Sequence, residues 1–597
     1  MNDSEKRAQK IMAILGAILV IWFALTIAPY VSGGLPAILA GFSEALAHPF
    51  KISVCEYTLK TILICLVFYV IAVGAILSSA HNYRNGIEHG SAIWGNIEEI
   101  CKKYMDKLFM FNLLLTQHVR MSINNRAYRR NRNVVVIGGS GAGKSLMYVI
   151  ANLLQGNTSF VVLDPKGELL RTVGAFLKKI HYRIKVLNLL HMNESDCYNP
   201  FVYLKTESDV QKLTTNFFKA TTPKDAQSTD PFWDTAAKML LSALIFYLLS
   251  EAPPEEQNFE MVVEMLRAAA VSEENPDAMS PVDKLFLELE AKDPHHIAVK
   301  YYKDYKKGAG KTLKSIQVTL ASRLEKFNIE ELAKLTITDD MDLASMGEKK
   351  TALFAVIPDS DTSFNFIVSM LYTQLFQQLF ELADNKYHGE LPVPVHFLMD
   401  EFSNVALPDD FDKILSVMRS RGVSVSIILQ NLAQLKALFE KKWESIIGNC
   451  DELLYLGGNE QSTHEYISKQ LGKQTIDINT YGKSKGRNGS YTKNYQKMGR
   501  ELMTPDEVRM LDNKYALLFI RGERPIMDLK IDTFNLPNAK YTPLKGGPAY
   551  DHAKLDNVVG SLKIDMTEVK NDDDSDSDDE FLLEFDPEEI SGNESQD

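Results

Sequence analysis

One segment of the sequence has the residue types and spacing of a phosphate-binding loop. It follows the pattern G-x-x-x-x-G-K-[ST], with an apolar strand-like run, 134–137, before it and a helix-forming run after it. In such a loop, backbone N–H groups bind phosphate oxygens and the helix N-terminus adds a favourable dipole. We predict that Lys144 contacts the β- and γ-phosphates of ATP and that Ser145 binds Mg²⁺. The predicted nucleotide-binding residues are Gly138, Gly139, Ser140, Gly141, Ala142, Gly143, Lys144 and Ser145.

Acidic residues that suit the same chemistry follow two other apolar runs. Asp400 and Glu401 come directly after the run 395–399, and Asp164 ends the run 159–163. Because ligands of α/β proteins bind at the carboxyl ends of the strands, these carboxylates are expected beside the phosphate loop. We predict that Asp400 holds Mg²⁺, that Glu401 polarises the attacking water and that Asp164 lies near the nucleotide.

Two further predictions depend on the strand-like segment VSVSIILQN, 423–431. Its predicted strand ends in Gln430, which places this residue to sense the γ-phosphate. Arg419 and Arg421 precede the segment, and in a ring of subunits one of them would neutralise charge in the neighbouring site. The alternative for either arginine is a solvated turn.

A fragment that resembles a second phosphate loop, GAGKT at 308–312, does not complete the pattern. Tyr305 stands where the first glycine is required, and no buried strand precedes it. We predict the start of a surface helix there.

The charge of the chain is concentrated at its C-terminus. The net charge is −13, but residues 571–597 contain 13 acidic and no basic residues, which leaves 78 − 13 = 65 acidic against 65 basic residues elsewhere. The chain-wide charge therefore does not exclude a nucleic-acid partner. The tail cannot bury enough apolar surface to fold alone, and it is either a solvating segment or a docking motif for a basic partner. The five cysteines have no metal-ligand spacing, a disulfide framework is not expected in so large a chain with so few of them, and they are interpreted as small hydrophobic residues of the interior.

Two apolar runs near the N-terminus are long enough to cross a bilayer as helices. They span about 11–31 and 61–80, and basic residues precede each of them. A cleaved signal peptide is the alternative for the first, although its apolar run is longer than usual. Because the nucleotide domain must meet ATP, we expect both ends of this two-pass membrane anchor in the cytoplasm. A later run, 239–250, is too short to span and is predicted to be a buried helix.

The middle of the chain lacks strand signals. Helical periodicity dominates from about 205 to 346, and strand signals return at 351–359. An insertion of this length is too long for a loop and is predicted to be an all-α domain.

A basic segment lies beyond the predicted sheet. Residues 481–500 carry lysines and arginines but no acidic residue, interleaved with three tyrosines. The segment is either a mobile solvated loop or a contact for single-stranded DNA, in which Lys483, Lys485 and Arg487 would contact phosphates.

Seven blocks in register resemble the type IV coupling proteins of conjugation and type IV secretion, of the TraG/TraD type. Small details are most similar to members from Gram-positive conjugative elements. The blocks cover the chain up to about residue 545: EHGSAIWG (88–95), the loop at 138–145, DPKGEL (164–169), DPFWDTAAKMLL (230–241), LMDEFSNV (398–405), RSRGVSVSIILQN (419–431) and GRELMTPDEVRML (499–511).

The resemblance implies a membrane-anchored, hexameric ATPase. Such a protein couples single-stranded DNA with its attached relaxase, and accessory relaxosome proteins, to the subunits of a type IV secretion channel. It also implies that Gln430 matches the family's glutamine and that Arg419, better than Arg421, matches the arginine that acts in the neighbouring subunit. Two alternatives stay open: a docking receptor whose nucleotide only gates assembly, and a chromosome-segregation-type translocase of duplex DNA.

The expected fold class is α/β. We predict a RecA-like P-loop NTPase domain with a mostly parallel central sheet, an inserted all-α domain and two N-terminal transmembrane helices. The expected boundaries are 1–84 for the anchor, 85–204 and 347–546 for the two parts of the NTPase domain, 205–346 for the insertion and 547–597 for a disordered acidic tail.

Overall fold

The structure is a computed structural model, and it divides the chain into two compact units. The first unit contains Met1–Glu98, Asn431–Ala433 and Gly457–Met527, and the second contains Glu99–Gln430, Gln434–Leu456 and the chain from Asp528. The residues that the structure describes are 3–48, 51–78, 86–124, 128–222, 231–269, 279–359, 361–405, 407, 410–483 and 491–552. The acidic tail and the predicted contacts Lys485 and Arg487 lie outside these ranges.

Seven parallel strands of the second unit form the sheet that positions the site. Numbered in chain order, they lie side by side in the order β9-β3-β8-β7-β4-β6-β5. Their bounds are Val134–Ile137 (β3), Ser159–Pro165 (β4), Arg183–Asn188 (β5), Thr351–Ile357 (β6), Val395–Met399 (β7), Val423–Leu429 (β8) and Glu452–Tyr455 (β9). A mostly parallel sheet was the expectation, and it is confirmed.

The central strands are buried along their whole length. Every residue of β3, β6, β7 and β8 is buried. Strands covered on both faces do not alternate apolar with polar residues, which explains the continuous Val, Ile and Leu runs. A short antiparallel pair, Asn112–Leu114 (β1) with Arg120–Ser122 (β2), precedes the sheet in the chain.

A polar network crosses this apolar core. The His396 ring lies between two serine hydroxyls of the next strand, with Nδ1 2.6 Å from Ser424 Oγ and Nε2 2.9 Å from Ser426 Oγ. Tyr148, on the helix that follows the phosphate loop, reaches Ser426 through its hydroxyl at 2.8 Å. Burial lowers the pKa of His396 to about 3, so the imidazole is neutral and uses one nitrogen as a donor and the other as an acceptor.

The described residues between 205 and 346 form helices and no strand, as the sequence predicts. The helices of this insertion are Glu207–Thr221, Pro231–Glu251, Phe259–Ala268, Pro281–Lys292, Ile297–Lys306, Gly310–Leu324 and Glu330–Ile337. The GAGKT fragment is a helix start, because the helix begins at Gly310. Local sequence also explains the start at Pro281: Ser280 accepts from the Asp283 N–H, and the Asp283 carboxylate accepts from the Ser280 N–H.

Aromatic packing joins the insertion to the rest of the second unit. The rings of Phe259 and Phe327 stack at 4.5 Å, and both lie near Phe217. Phe366, on the helix Asn365–Glu381 that follows β6, closes this cluster at 5.9 Å from Phe217. The insertion thus shares a core with the sheet's own helices, although its sequence reads as a separate helical segment.

Other helices of the second unit follow the strands. They are Lys144–Ile150, continued by Ala151–Leu153, after β3; Glu168–Lys179 after β4; Phe411–Met418 after β7; and Trp443–Gly448 before β9. The helices Ile97–Tyr104 and Leu432–Phe439 each include residues of both units.

Apolar helices form the N-terminal part of the first unit. The helices are Asp3–Ile27, Gly34–Ala47 and Thr58–Ser78. The first and third pack together, and the Tyr69 hydroxyl donates to the Ala13 carbonyl at 2.8 Å. This hydrogen bond gives the Tyr69 hydroxyl an acceptor between two otherwise apolar helices.

Three helices of the described residues are long and apolar enough to span a membrane. They contain Ile11–Gly33, Thr58–Ala75 and Pro231–Glu251. The two N-terminal spans are 22% and 11% buried, whereas the third is 56% buried within the protein. The third helix packs instead against the insertion helices Ile297–Lys306 and Gly310–Leu324, which agrees with the buried helix expected from the sequence.

A long antiparallel hairpin dominates the remainder of the first unit, so the loop alternative for 481–500 was wrong over the described residues 481–483 and 491–500. Strands Lys473–Lys483 (β10) and Tyr491–Glu501 (β11) pair over their whole length. The block at 88–95 lies along the hairpin base, where the Ala92 N–H donates to the Lys473 carbonyl at 2.9 Å. The other elements are the helices Gln461–Leu471 and Pro505–Arg509 and the strand Tyr515–Ile520 (β12); the strand Ile526–Leu529 (β13) crosses into the second unit.

Candidate nucleotide-binding site

The loop after β3 has the backbone shape that its glycines permit. Gly141 and Gly143 have φ of 75° and 89°, in the left-handed region that side chains rarely adopt. A Cβ on Gly143 would also lie 2.6 Å from Met147 Sδ. The helix begins at the next residue, Lys144, and its first turns have the wide π-helical spacing. The loop therefore presents backbone N–H groups at a helix N-terminus, the arrangement that binds phosphate.

The Lys144 ammonium lies over this loop. It donates to the Gly138 carbonyl at 2.7 Å and to the Gly139 carbonyl at 3.0 Å. Burial lowers the pKa of Lys144, while Asp400 and Glu401 act in the opposite direction. The ammonium is thus held at the mouth of the cradle beside the two carboxylates.

The sheet brings the phosphate loop and the first acidic residue into direct contact. The Ser145 hydroxyl donates to Asp400 Oδ2 at 2.6 Å, across 255 positions of sequence. Asp400 is buried, and this burial raises the pKa of its carboxyl group. A serine hydroxyl and a carboxylate are the hard oxygen ligands that Mg²⁺ prefers, so these two residues fit the predicted metal ion.

Glu401 occupies an unusual backbone conformation beside Asp400. Its φ and ψ are 52° and 46°, which is left-handed geometry for a residue with a long side chain. Asn404 donates its side-chain amide to Glu401 Oε2 at 3.1 Å. Burial, and next the nearby Asp400 carboxylate, raise the pKa of Glu401. Backbone strain of this kind is concentrated at functional positions.

Asp164 is the second-last residue of β4, at the same sheet edge, but its carboxylate accepts hydrogen bonds from the protein backbone. Its two oxygens accept from the Leu169 N–H at 3.1 Å and the Leu170 N–H at 2.8 Å, at the start of the next helix. Burial raises the pKa of Asp164 to about 7, and Asp400 acts in the same direction. A contact of Asp164 with the nucleotide stays a prediction.

Gln430 directly follows β8, which lies between β3 and β7 in the sheet. Its backbone N–H donates to Gln434 Oε1 at 2.9 Å. The position is the one expected for a residue that senses the nucleotide, because it is at the same edge as the loop and Asp400.

The two candidate arginines have different surroundings. Arg421 makes an ion pair with Asp384, with Nη2 2.7 Å from Oδ2 and Nε 2.9 Å from Oδ1, and its guanidinium lies 4.8 Å from the Phe380 ring. Among the described residues, the half-buried Arg419 side chain has no hydrogen-bond or ion-pair partner. The role of Arg419 in a neighbouring subunit stays a prediction.

Two polar contacts of the site escape sequence reasoning. Asn404 holds Glu401, and Lys530 donates to a carbonyl of the phosphate loop. Asn404 is three residues from Glu401, and this spacing could have indicated the contact between them. Lys530 is 388 positions from its acceptor, Ala142, and no local sequence pattern indicates this contact.

A phosphate loop after the first strand of a parallel sheet, with an acidic pair at the end of another strand, defines a P-loop α/β nucleotide-binding domain. Residues 94–552 match the family described as "Type IV secretory system Conjugative DNA transfer". The match covers most of the chain, and the chain belongs to this family, that of the type IV coupling proteins. The resemblance drawn from the sequence blocks is confirmed.

Individual relatives are distant in sequence. The chain is 21% identical to Protein VirD4 of Rhizobium radiobacter over 477 residues, which is 77% of this chain and 66% of that protein. It is 24% identical to the Conjugal transfer protein TraG of Escherichia coli over 403 residues, 63% of this chain and 61% of that protein. The match to Protein VirD4 of Rhizobium rhizogenes covers 58% of its length. The matched region thus spans somewhat less than two thirds of these relatives.

Solved structures share the fold. The bacterial conjugative coupling protein TrwBdeltaN70 is similar with a TM-score of 0.54 at 16% identity, over 77% of this chain and 96% of that one. Plasmid coupling protein TrwB has also been solved with a non-hydrolysable ATP analogue and with ADP and Mg²⁺; both match with a TM-score of 0.53 over 76% of this chain, and over 95% and 96% of those chains.

Proposed function

We propose that this protein is an ATPase that couples DNA substrates to a type IV secretion channel and drives their transfer. The observation that carries the proposal is the 2.6 Å contact between Ser145 and Asp400, because it joins the phosphate loop to the acidic pair in one site. The nucleotide-bound TrwB structures support ATP and Mg²⁺ as the ligands.

Different residues of this chain have separate roles in ATP hydrolysis. The loop N–H groups and Lys144 hold the phosphates, and Ser145 with Asp400 would hold Mg²⁺, which supplies charge neutralisation when bound. Glu401, with its pKa raised, accepts hydrogen bonds from the attacking water and orients it. Asn404 fixes one oxygen of Glu401 during this step. Gln430 senses the γ-phosphate from the end of β8.

The protein is proposed to be anchored in the membrane with its nucleotide site in the cytoplasm. The helices that contain Ile11–Gly33 and Thr58–Ala75 supply two spans, and the need for ATP places both chain ends on the cytoplasmic side. Its proposed partners are relaxase-bound single-stranded DNA, accessory relaxosome proteins and the channel subunits.

A homo-hexamer would complete the site. In the ring, Arg419 would enter the nucleotide site of the neighbouring subunit. Arg421 would stabilise the short helical turn Arg419–Arg421 through its ion pair with Asp384. This division is supported by the ion pair of Arg421 and by the lack of a partner for Arg419 among the described residues.

The hairpin is the proposed contact for single-stranded DNA. Its register pairs Asn479 with Tyr495, Tyr481 with Lys493 and Lys483 with Tyr491. The paired positions of the outer half therefore include three tyrosines and two lysines, residue types that suit base stacking and phosphate contact.

Removing the basic residues of this region should weaken DNA binding and its dependence on salt. The triple variant Lys483→Ala, Lys485→Ala, Arg487→Ala should flatten the slope of log affinity against log salt by about 2, since each lost phosphate contact on single strands contributes about 0.7. Fluorescence anisotropy with a labelled oligonucleotide measures this slope. Thr480→Ala with Thr492→Ala, at uncharged positions of the same two strands, is the matched control. An unchanged slope in the triple variant would leave the hairpin without a role in DNA binding.

The experiment that tests the whole proposal is ATP hydrolysis by the purified full-length protein, with and without single-stranded DNA, combined with light scattering to determine the oligomer. We expect that single-stranded DNA stimulates ATP hydrolysis and that the activity is found with the hexameric form of the protein. If the protein binds ATP but transfers DNA normally without hydrolysing it, the receptor function replaces the proposed one. Stimulation by duplex DNA alone would instead favour the duplex translocase.

A further inference from the structure

A short segment of the second unit, 528–533, buries charged residues and exposes an apolar one. Asp528 and Lys530 are only 4% and 6% exposed, whereas Leu529 between them is 37% exposed. This is the reverse of the pattern that hydrophobic burial produces, and burying a lysine is costly unless its ammonium is hydrogen-bonded. Specific polar contacts must therefore compensate for this arrangement.

The Lys530 ammonium makes its contact with the phosphate loop. Nζ donates to the Ala142 carbonyl at 2.8 Å. That carbonyl belongs to the same planar peptide as the N–H of Gly143, and in a trans peptide the two groups point in opposite directions. A cation on the carbonyl therefore both orients the Gly143 N–H toward the cradle and strengthens it as a donor.

Neighbouring contacts hold Lys530 in place behind the loop. Thr533 donates its hydroxyl to the Leu146 carbonyl at 2.6 Å, in the first turns of the helix after the loop. On the other side, Asp528 Oδ2 accepts from the Thr116 hydroxyl at 2.6 Å and from the His118 N–H at 3.0 Å. The segment is thus fixed at both ends, which holds the backbone of Lys530 close to the phosphate loop.

We propose that Lys530 is a positioning residue of the nucleotide site, which raises the affinity for the polyphosphate from behind the loop. Lys144 would contact the phosphates directly, and Lys530 would act through the Ala142–Gly143 peptide. Counting bond lengths from the ammonium through this peptide places its charge about 8 Å from a bound phosphate oxygen. The inference rests on the proposed function, since it requires that the loop binds a nucleotide.

The test is a comparison of phosphate-bearing and phosphate-free ligands in the full-length protein. Lys530→Met removes the charge and the donor but retains a long apolar side chain. We expect the Kd of ADP, measured by calorimetry, and the KM of ATP to rise about tenfold, with kcat changed less than about threefold; adenosine should bind as to the parent protein. The exposed Lys545, on the same C-terminal segment, provides the matched control Lys545→Met.

Two further variants separate a positioning role from a general structural one. Thr533→Val removes an uncharged hydrogen bond of the same segment. We expect this variant to change the melting temperature, but to change the Kd of ADP less than Lys530→Met does. Lys530→Arg keeps the charge, and we expect it to retain ADP affinity within about threefold even if Lys530→Met fails to fold.

The proposal would be overturned if a folded Lys530→Met bound ADP like the parent, or if a folded Lys530→Arg lost ADP affinity as fully as a neutral Lys530→Gln. An equal loss of adenosine and ADP affinity would also contradict it, since the effect would then not depend on phosphate. If the parent protein itself bound no ADP, the proposed function would fail instead.

Discussion

Lys144→Ala and Glu401→Gln should each abolish ATP-driven DNA transfer while leaving the protein in the membrane. Lys144→Ala removes a cation from the phosphates, and we expect ATP hydrolysis to fall at least about 100-fold, the usual cost of deleting one charge-stabilising donor. Glu401→Gln preserves shape but removes the carboxylate that orients water, and we expect a loss of about 10²- to 10⁴-fold. Phosphate release by the purified variants and mating assays in cells measure the two consequences.

The two variants should differ in binding. Glu401→Gln retains the loop, Lys144 and the Ser145–Asp400 pair, so it should still bind ATP, whereas Lys144→Ala should bind it more weakly. Glu440→Gln, at an exposed position outside the site, is a matched control for the chemical change. Normal transfer by either site variant would support a receptor whose nucleotide only gates assembly.

Arg419→Ala should lose ATP hydrolysis by about 10³-fold or more, the range seen when an arginine that acts between subunits is deleted. Because the affected site belongs to the neighbour, mixing Arg419→Ala with Lys144→Ala protein should restore part of the activity. In such a mixture, a Lys144→Ala subunit supplies its arginine to the intact site of an Arg419→Ala subunit. Hydrolysis rates over a series of mixing ratios provide the measurement.

Arg421→Ala is the comparison that the structure offers for Arg419. The loss of its ion pair with Asp384 should lower the melting temperature, with less effect on hydrolysis than Arg419→Ala. Full activity of Arg419→Ala, or no rescue at any mixing ratio, would argue against a site shared between subunits.

The central part of the site could be predicted from sequence because the phosphate loop, Asp400 and Gln430 each directly follow a buried strand. Ser145, Asp400 and Gln430 are far apart in the chain, but parallel strands bring their carboxyl ends to one edge. The contact between Ser145 and Asp400 therefore follows from three apolar runs and the rule for α/β sheets. The buried helix at 231–251 was also predicted, but the length of its apolar run was an insufficient reason: the whole helix is long and apolar enough to span a membrane, and its burial within the protein is what distinguishes it.

The features that sequence reasoning missed depend on partners distant in the chain. The hairpin strands contain glycine, lysine and asparagine, which have low strand propensity, so their pairing depends on the cross-strand neighbour. The capping role of Asp164 and the burial of Lys530 likewise become visible only when the acceptor or donor is known. Arg419 and Arg421 are equivalent by composition, and only Asp384, on another helix, distinguishes them.

The serine pair around His396 has a consequence for the accuracy of the catalytic geometry. Strands made of Val, Ile and Leu alone could slide past one another by two residues and still bury apolar side chains on both faces. Such a slip between β7 and β8 would separate the imidazole from one of its two hydroxyls and leave a ring nitrogen unsatisfied, at about 1–3 kcal/mol. The two-residue misalignment would also carry Asp400 about 7 Å from its present position at the strand end. The neutral, buried His396 thus fixes the register of β7 against β8. That register in turn sets the distance between the proposed metal-binding carboxylate and the phosphate loop.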